Sequence, residues 1–140
     1  MFYLYTNTNG SINLHYFLTR EDRLKYIEEK NCTQYAMTET LRNSYFFSAF
    51  EWDESVNNIK VNINKAKEIR MNFFRQVRAE IFPKLDLLYM KSLETGNLDD
   101  QKRIVDDKNY LRNLSTLEMP DTEAELFTFF PERLMSLYNI

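Results

Sequence analysis

His15 is the only histidine in this chain and Cys32 the only cysteine, which closes off most side-chain chemistry at once. One imidazole and one distant thiol cannot assemble a multi-histidine or histidine–cysteine metal site, because structural zinc takes four such ligands. A single cysteine excludes an internal disulfide and fits a reducing compartment. No nucleophile-elbow pattern places a serine or cysteine to work with an imidazole. His15, between Leu14 and Tyr16 in a β-prone run, therefore reads as an ordinary strand residue.

Carboxylates offer the next chemistry. Glu51, Asp53 and Glu54 flank Trp52, the one tryptophan, and acids beside an aromatic ring can bind a sugar or a divalent cation. Acid–base work needs environments that separate the two carboxyl pKa values, and nothing in the local pattern demands burial. A solvated turn is the preferred reading. Asp99-Asp100 and Asp106-Asp107 have the right type for metal ligation, but a helix dipole and solvent-facing positions already account for them. No catalytic residue, cofactor or metal is expected.

Two clusters remain. Arg70, Arg75 and Arg78 are interleaved with Phe73, Phe74 and Val77. Such mixing can serve single-stranded nucleic acid, but at helical spacing Phe73 and Val77 fall in an apolar stripe that the arginines border. Bordering arginines commonly pair across a hairpin or an interface. Tyr45, Phe46, Phe47, Phe50 and Trp52 place five large aromatics in eight residues, more than one regular element can turn inward. Core packing accounts for some of them, and the others are expected to line a groove or meet another chain.

These residues need a scaffold. With 140 residues, 44% hydrophobic and 28% charged, the chain fits one globular unit, or one with a small appendage. Only 2 Gly and 3 Pro argue against glycine-rich phosphate loops and many-turned barrels. The N-terminus lacks the basic start and apolar core of a signal peptide, and no run reaches the ~20 apolar residues of a membrane span. The net charge of −3 is unevenly placed. Residues 60–86 carry seven bases against three acids, and residues 94–140 carry ten acids against five bases. Mutual neutralisation is the simplest consequence; a nucleic-acid strip is disfavoured because overall acidity repels phosphate.

Phe2–Tyr5 and Ile12–Tyr16 flank Asn9-Gly10, which predicts a β-hairpin. Thr19 followed by Glu21 and Asp22 predicts a helix start, ending near Lys30-Asn31. Residues 33–38 and 59–61 are candidate strands, and 53–58 a polar turn. From a cap at Asn64, the stripe Ala66, Ile69, Phe73, Val77, Ile81, Leu85 and Leu88 predicts a long helix. Pro83 should kink it, or the hairpin should project from the body. Gly96 ends this helix and Asn97 caps the next, whose buried face is expected to be Leu98, Ile104, Leu111 and Leu114. A last short helix follows Pro120-Asp121-Thr122.

Joined in order, "YFFSAFEWD" (45–53), "NINKAKEIRMNFFRQVRAEIFPKLDLLYMKSLETGN" (62–97), "KRIVDDKNYLRNL" (102–114) and "DTEAELFTFFPERL" (121–134) resemble a group of small proteins of tailed bacteriophages and prophages, often encoded beside tail or tail-fibre genes. Ala49-Phe50, Lys65-Ala66-Lys67-Glu68-Ile69, Leu85-Asp86, Met90, Leu93-Glu94, Gly96, Lys108, Leu111-Arg112, Glu125-Leu126 and Pro131 carry the match over roughly two-thirds of the chain. The chain departs from that pattern at Ser44 and Phe47, where arginine is usual, and at Asn97 and Asn113, where aspartate is usual. The resemblance implies a role in the virion or in tail assembly, and no reaction.

The expected fold is α+β: a small β-containing part with one helix over 1–58, then a helical hairpin with a short final helix over 59–140. The expected function is non-enzymatic binding of another virion or tail protein, or of a second copy, in the host cytoplasm during assembly or within the virion. The apolar face of the hairpin, with Phe74, and the aromatics Tyr45, Phe46, Phe47, Phe50 and Trp52 are expected to make the contact, with Arg70, Arg75 and Arg78 orienting it. A nucleic-acid-binding or host-regulatory protein using the basic 60–86 strip is the alternative.

Overall fold

A computed structural model describes all 140 residues, Met1–Ile140, and the fold is α+β. The chain divides into two compact units, Met1–Ala66 and Lys67–Ile140. The expected boundary at 58/59 would have cut a strand pair: β4 (Phe50–Asp53) and β5 (Asn58–Val61) bond antiparallel, Trp52 opposite Ile59.

In the N-terminal unit β1 (Phe2–Thr8) is the central strand of three, paired antiparallel with β2 (Ser11–Phe17) and β3 (Tyr35–Thr38). Asn9 and Gly10 hold φ of 51° and 83°, the positive-φ pair that lets a two-residue turn follow the strand twist. Leu4, Tyr5 and Thr6 are all buried, so β1 is covered on both faces. On one face lies α1 (Arg20–Glu29), with Tyr26 packed against His15 and Phe17. On the other, Tyr5 meets Phe50 edge-on. Thr19 caps α1 by accepting from the Asp22 amide. Asn31, at φ 50°, ends it while the Cys32 amide reaches back to the Ile27 carbonyl.

α2 (Ile63–Glu94) begins earlier than expected. Asn62, not Asn64, supplies the cap: its side chain accepts from the Lys65 amide and donates to Glu51. The helix runs through Pro83 without ending. Proline removes the amide that would bond Ala79, but both residues are exposed, so water can satisfy the freed carbonyl.

The C-terminal unit folds α3 (Leu98–Arg112) back along α2. Gly96 takes φ 65° at the turn, and Asn97 caps α3 through the Asp100 amide. Three contacts fix the antiparallel register: Gln101 to the Ser92 carbonyl, Lys108 to Asp86 and Arg78 to the Leu111 carbonyl. Two expected core positions stay in water. Leu98 lies about 120° around α3 from buried Ile104 at 3.6 residues per turn, and it is 66% exposed. Leu88 continues the α2 stripe but is also exposed, one turn beyond Lys84, where the C-terminal segment meets α2. The expected last helix is α4 (Glu123–Thr128), capped by Thr122. An unanticipated α5 (Glu132–Tyr138) follows Pro131 and buries Leu134 and Leu137.

Because Pro83 sits in an exposed helix interior, Pro83→Ala should stabilise the protein by about 1–3 kcal/mol. Urea denaturation checks this; a neutral or destabilising result would contradict the solvated-carbonyl account.

Candidate functional site

The expected contact residues fall into both units, and several are consumed by packing. Ser44–Ala49 forms a 3-10 turn, opened by Asn43 accepting from the Tyr45 amide, and leads directly into β4. Phe46 and Ala49 are fully buried and Phe50 nearly so. Phe46 and Phe50 are thus core residues, a correction to the expected contact surface, because β1 needs an aromatic cover on the face opposite α1. Tyr45, Phe47 and Trp52 remain half-exposed.

In the C-terminal unit Phe74 is also fully buried, edge-on to Phe129 and Phe130 with centroids 5.8 and 5.6 Å away. Arg70 is buried over the Phe73 and Phe74 rings. Its Nε and Nη2 both donate to the Phe129 carbonyl, at 2.9 and 2.6 Å. Arg70 therefore fastens the segment after α4 to α2 and presents no charge to a partner. Arg78 donates to the Leu111 carbonyl, and Arg75 pairs at the surface with Glu68 and Asn72.

These partners also dismantle the basic strip. Besides the three arginines, Lys65 pairs with Glu51, Lys67 with Asp121, and Lys84 with main-chain oxygens of Tyr138 and Ile140. Six of its seven bases are engaged inside their own unit, three of them by carboxylates and three by main-chain carbonyls.

The acids are equally committed. Hydrogen bonds from Lys65 and then Asn62 hold the Glu51 carboxyl below its ordinary range. The Ser55 hydroxyl and amide do the same for Asp53. Both are anions near neutrality, so neither is poised as a proton donor. Asp106 and Asp107 clasp Arg133, which lies over the Tyr110 ring. No group of three or more His, Cys, Asp or Glu side chains is placed to hold a metal ion, and no helix is long and apolar enough to cross a membrane.

A concavity of about 730 Å³ lies in the N-terminal unit between the β1–β2 turn and the end of α1. Its lining is mostly amide and hydroxyl, and includes Tyr26 and His15. His15 Nε2 is 3.1 Å from Thr6 Oγ1, and burial lowers the imidazole pKa.

The sequence led to an apolar hairpin face as the contact, but the stripe it marked is largely buried, and the exposed apolar surface lies instead at the closed end of the hairpin. Leu87, Met90 and Leu93 succeed one another at three-residue steps on α2, all more than half exposed. Leu98 and Val105 share a face of α3 at a seven-residue step and are exposed as well. The one available signal was their position beside the Gly96 turn, beyond the reach of later chain segments. No protein-family model, curated protein or solved structure matches this chain.

Arg70→Lys should cost about 1.5–3 kcal/mol, because the fork on a buried carbonyl is lost. The same change at surface Arg75 should cost no more than about 0.5 kcal/mol. Equal losses in parallel denaturant titrations would refute the buried clip. His15 titrates lower in the fold than in the open chain, so just below its ordinary pKa the unfolded state binds more protons. Stability should therefore fall as pH drops from 7 toward 5, and His15→Gln should flatten that part of the profile.

Proposed function

We propose that this is a non-catalytic protein of a tailed bacteriophage or prophage, which binds another virion component during tail or tail-fibre assembly or as a minor structural subunit. The observation that carries the reading is the pair of exposed apolar rows at the closed end of the hairpin: Leu87, Met90 and Leu93 on α2, with Leu98 and Val105 on α3. Exposed apolar groups concentrated on one region mark contact surfaces in otherwise soluble proteins. The resemblance of residues 45–134 to phage tail-associated proteins supplies the context. Contact residues therefore shift from the arginines, which are held internally, to the hairpin end. Tyr45, Phe47 and Trp52 remain as a separate half-exposed group on the other unit. Assembly would take place in the host cytoplasm, with incorporation into the particle following for a structural subunit.

A Leu93→Glu, Leu98→Glu double variant tests this. Both side chains are more than half exposed, so the thermal midpoint should move little. When tagged wild-type chain is expressed in a phage-producing host, a virion protein should co-purify with it, and the double variant should lose at least tenfold of that yield. Mass spectrometry of purified particles then separates a retained subunit from a transient chaperone. A wild-type chain that captures no virion protein, or a variant that captures it undiminished, would overturn the proposal.

A further inference from the structure

We infer that the N-terminal unit pairs with a second copy of itself along the outer edge of β2, about a two-fold axis at Leu14, which joins two three-stranded sheets into one. The strand order is β2-β1-β3, so β2 and β3 are the edges. An edge strand presents unpaired amides and carbonyls, and proteins ordinarily blunt it by shortness, charge, proline or a bulge. β3 is four residues long. β2 runs for seven, Ser11–Phe17, with no acid, lysine, arginine or proline, and its register with β1 is unbroken from end to end. No other segment of the chain bonds its outer side. A groove of about 390 Å³, lined by residues 12–16 and by Ser44 and Phe47, follows the strand and leaves room for another beside it.

The turn decides which groups face outward. A two-residue turn is closed by a hydrogen-bonded pair, here Thr8 with Ser11. Antiparallel pairs alternate, so Ser11, Asn13, His15 and Phe17 bond β1, while Ile12, Leu14 and Tyr16 turn their N–H and C=O groups away from it. The Asn7 amide obeys the same alternation: it points away from its partner Ile12 and donates to the Gln34 carbonyl on the β3 side, at 3.0 Å. A two-fold axis at Leu14 sets the three outward residues against one another, Leu14 on Leu14 and Ile12 on Tyr16. Every one of these is then a hydrogen-bonded pair, giving about six bonds across the axis. Ile12 with Tyr16 is a β-branched residue against an aromatic, a combination that stabilises neighbouring strands. With no acid, lysine or arginine in the strand, the register opposes no like charges. Both halves of every pair come from the same three residues, which assigns the edge to a second copy rather than to an unrelated extended segment. The edge belongs to the unit that does not carry the hairpin, and the pairing stands whether or not the hairpin takes a virion protein.

Sedimentation equilibrium of the full chain should show dimers forming as concentration rises, with a Kd of about 1–100 μM, as suits a modest interface. In hydrogen exchange the amides of Ile12, Leu14 and Tyr16 should slow about tenfold or more between dilute and concentrated samples. Those of Asn13 and His15, already bonded to β1, should change less. Leu14→Lys and Leu14→Glu test the register. Each variant alone sets like charges face to face on the axis and should weaken the dimer at least about tenfold. Mixed in equal amounts the two should dimerise again, because opposite charges then meet. The Leu93→Glu, Leu98→Glu chain should dimerise as the wild type does, which separates this edge from the hairpin end. The wild-type exchange data decide the matter even where a substitution at Leu14 disturbs the fold. A chain still monomeric at about 1 mM, a dimer whose Ile12, Leu14 and Tyr16 amides exchange as fast as in the monomer, or folded variants whose mixture fails to dimerise would overturn the pairing.

Discussion

The stripe that α2 cannot leave in water organises the C-terminal unit. Phe74, Ile81 and Leu85 are buried to within 1% of completely, with Met71 and Val77 close behind. A single helix has no means of covering such a stripe and draws most of its stability from what packs on it. Each later segment does part of that work. Ile104, Leu111 and Leu114 arrive from the α3 side, and Leu134 and Leu137 from α5, into one continuous cluster. Phe129 and Phe130 complete it around Phe74. The short α4 and α5 are too brief to persist alone, and their caps and prolines set where they start while the cluster keeps them folded.

That packing dictates where the cations go. A guanidinium next to an aromatic core must find acceptors or stay in solvent. Arg70 finds the carbonyl of Phe129, an acceptor available because the chain leaves helical geometry there, with Phe129 at φ −66° and ψ 122°. Arg78 finds the carbonyl of Leu111, in the last turn of α3, where helix carbonyls lack internal partners. Lys108 lies over the Tyr89 ring while bridging to Asp86. Between the basic 60–86 and the acidic C-terminal third, Lys67 pairs with Asp121.

How far the sequence revealed this depends on the range of the deciding interaction. Asn9-Gly10, Thr19, Gly96 and Asn97 act within a few residues through positive φ or a side chain capping its own helix, and each was readable. Asn62 and Asn64 are the same residue type two positions apart. Glu51, eleven residues upstream, accepts from Asn62, a contact that no local pattern contains. The aromatic segment 44–50 lacks periodicity because a 3-10 turn runs into a strand, so which rings face inward followed from β1 rather than from spacing. The reversed roles of Phe50, Phe74 and Arg70 share that origin: all three are claimed by partners distant in the chain. α5 is the exception. Pro131, Glu132 and the Leu134–Leu137 step form a local signature, in which the proline that closes the α4 segment also opens a helix.

Leucines left more than half exposed are harder to account for by folding than leucines that are buried. At the closed end of the hairpin, Leu87, Met90, Leu93 and Leu98 contribute helix propensity, but glutamate or lysine would contribute nearly as much and would stay soluble. Isolated exposed apolar residues are ordinary on any surface. Four within twelve positions, arranged as a row on one helix and the opening residue of the next, form a concentration that the stability of this chain does not require. Polar groups rim them, with Lys91 and Glu94 on α2 and Asp99, Asp100, Lys102 and Arg103 on α3. Charges of both signs around an apolar centre keep a free chain dispersed while leaving the centre to be dehydrated by a complementary surface. Such a contact draws its free energy mainly from apolar burial, with the mixed charges setting orientation. It should therefore survive salt concentrations that would dissociate a phosphate-bound protein, which is the physical difference between a hairpin that meets protein and a strip that meets nucleic acid.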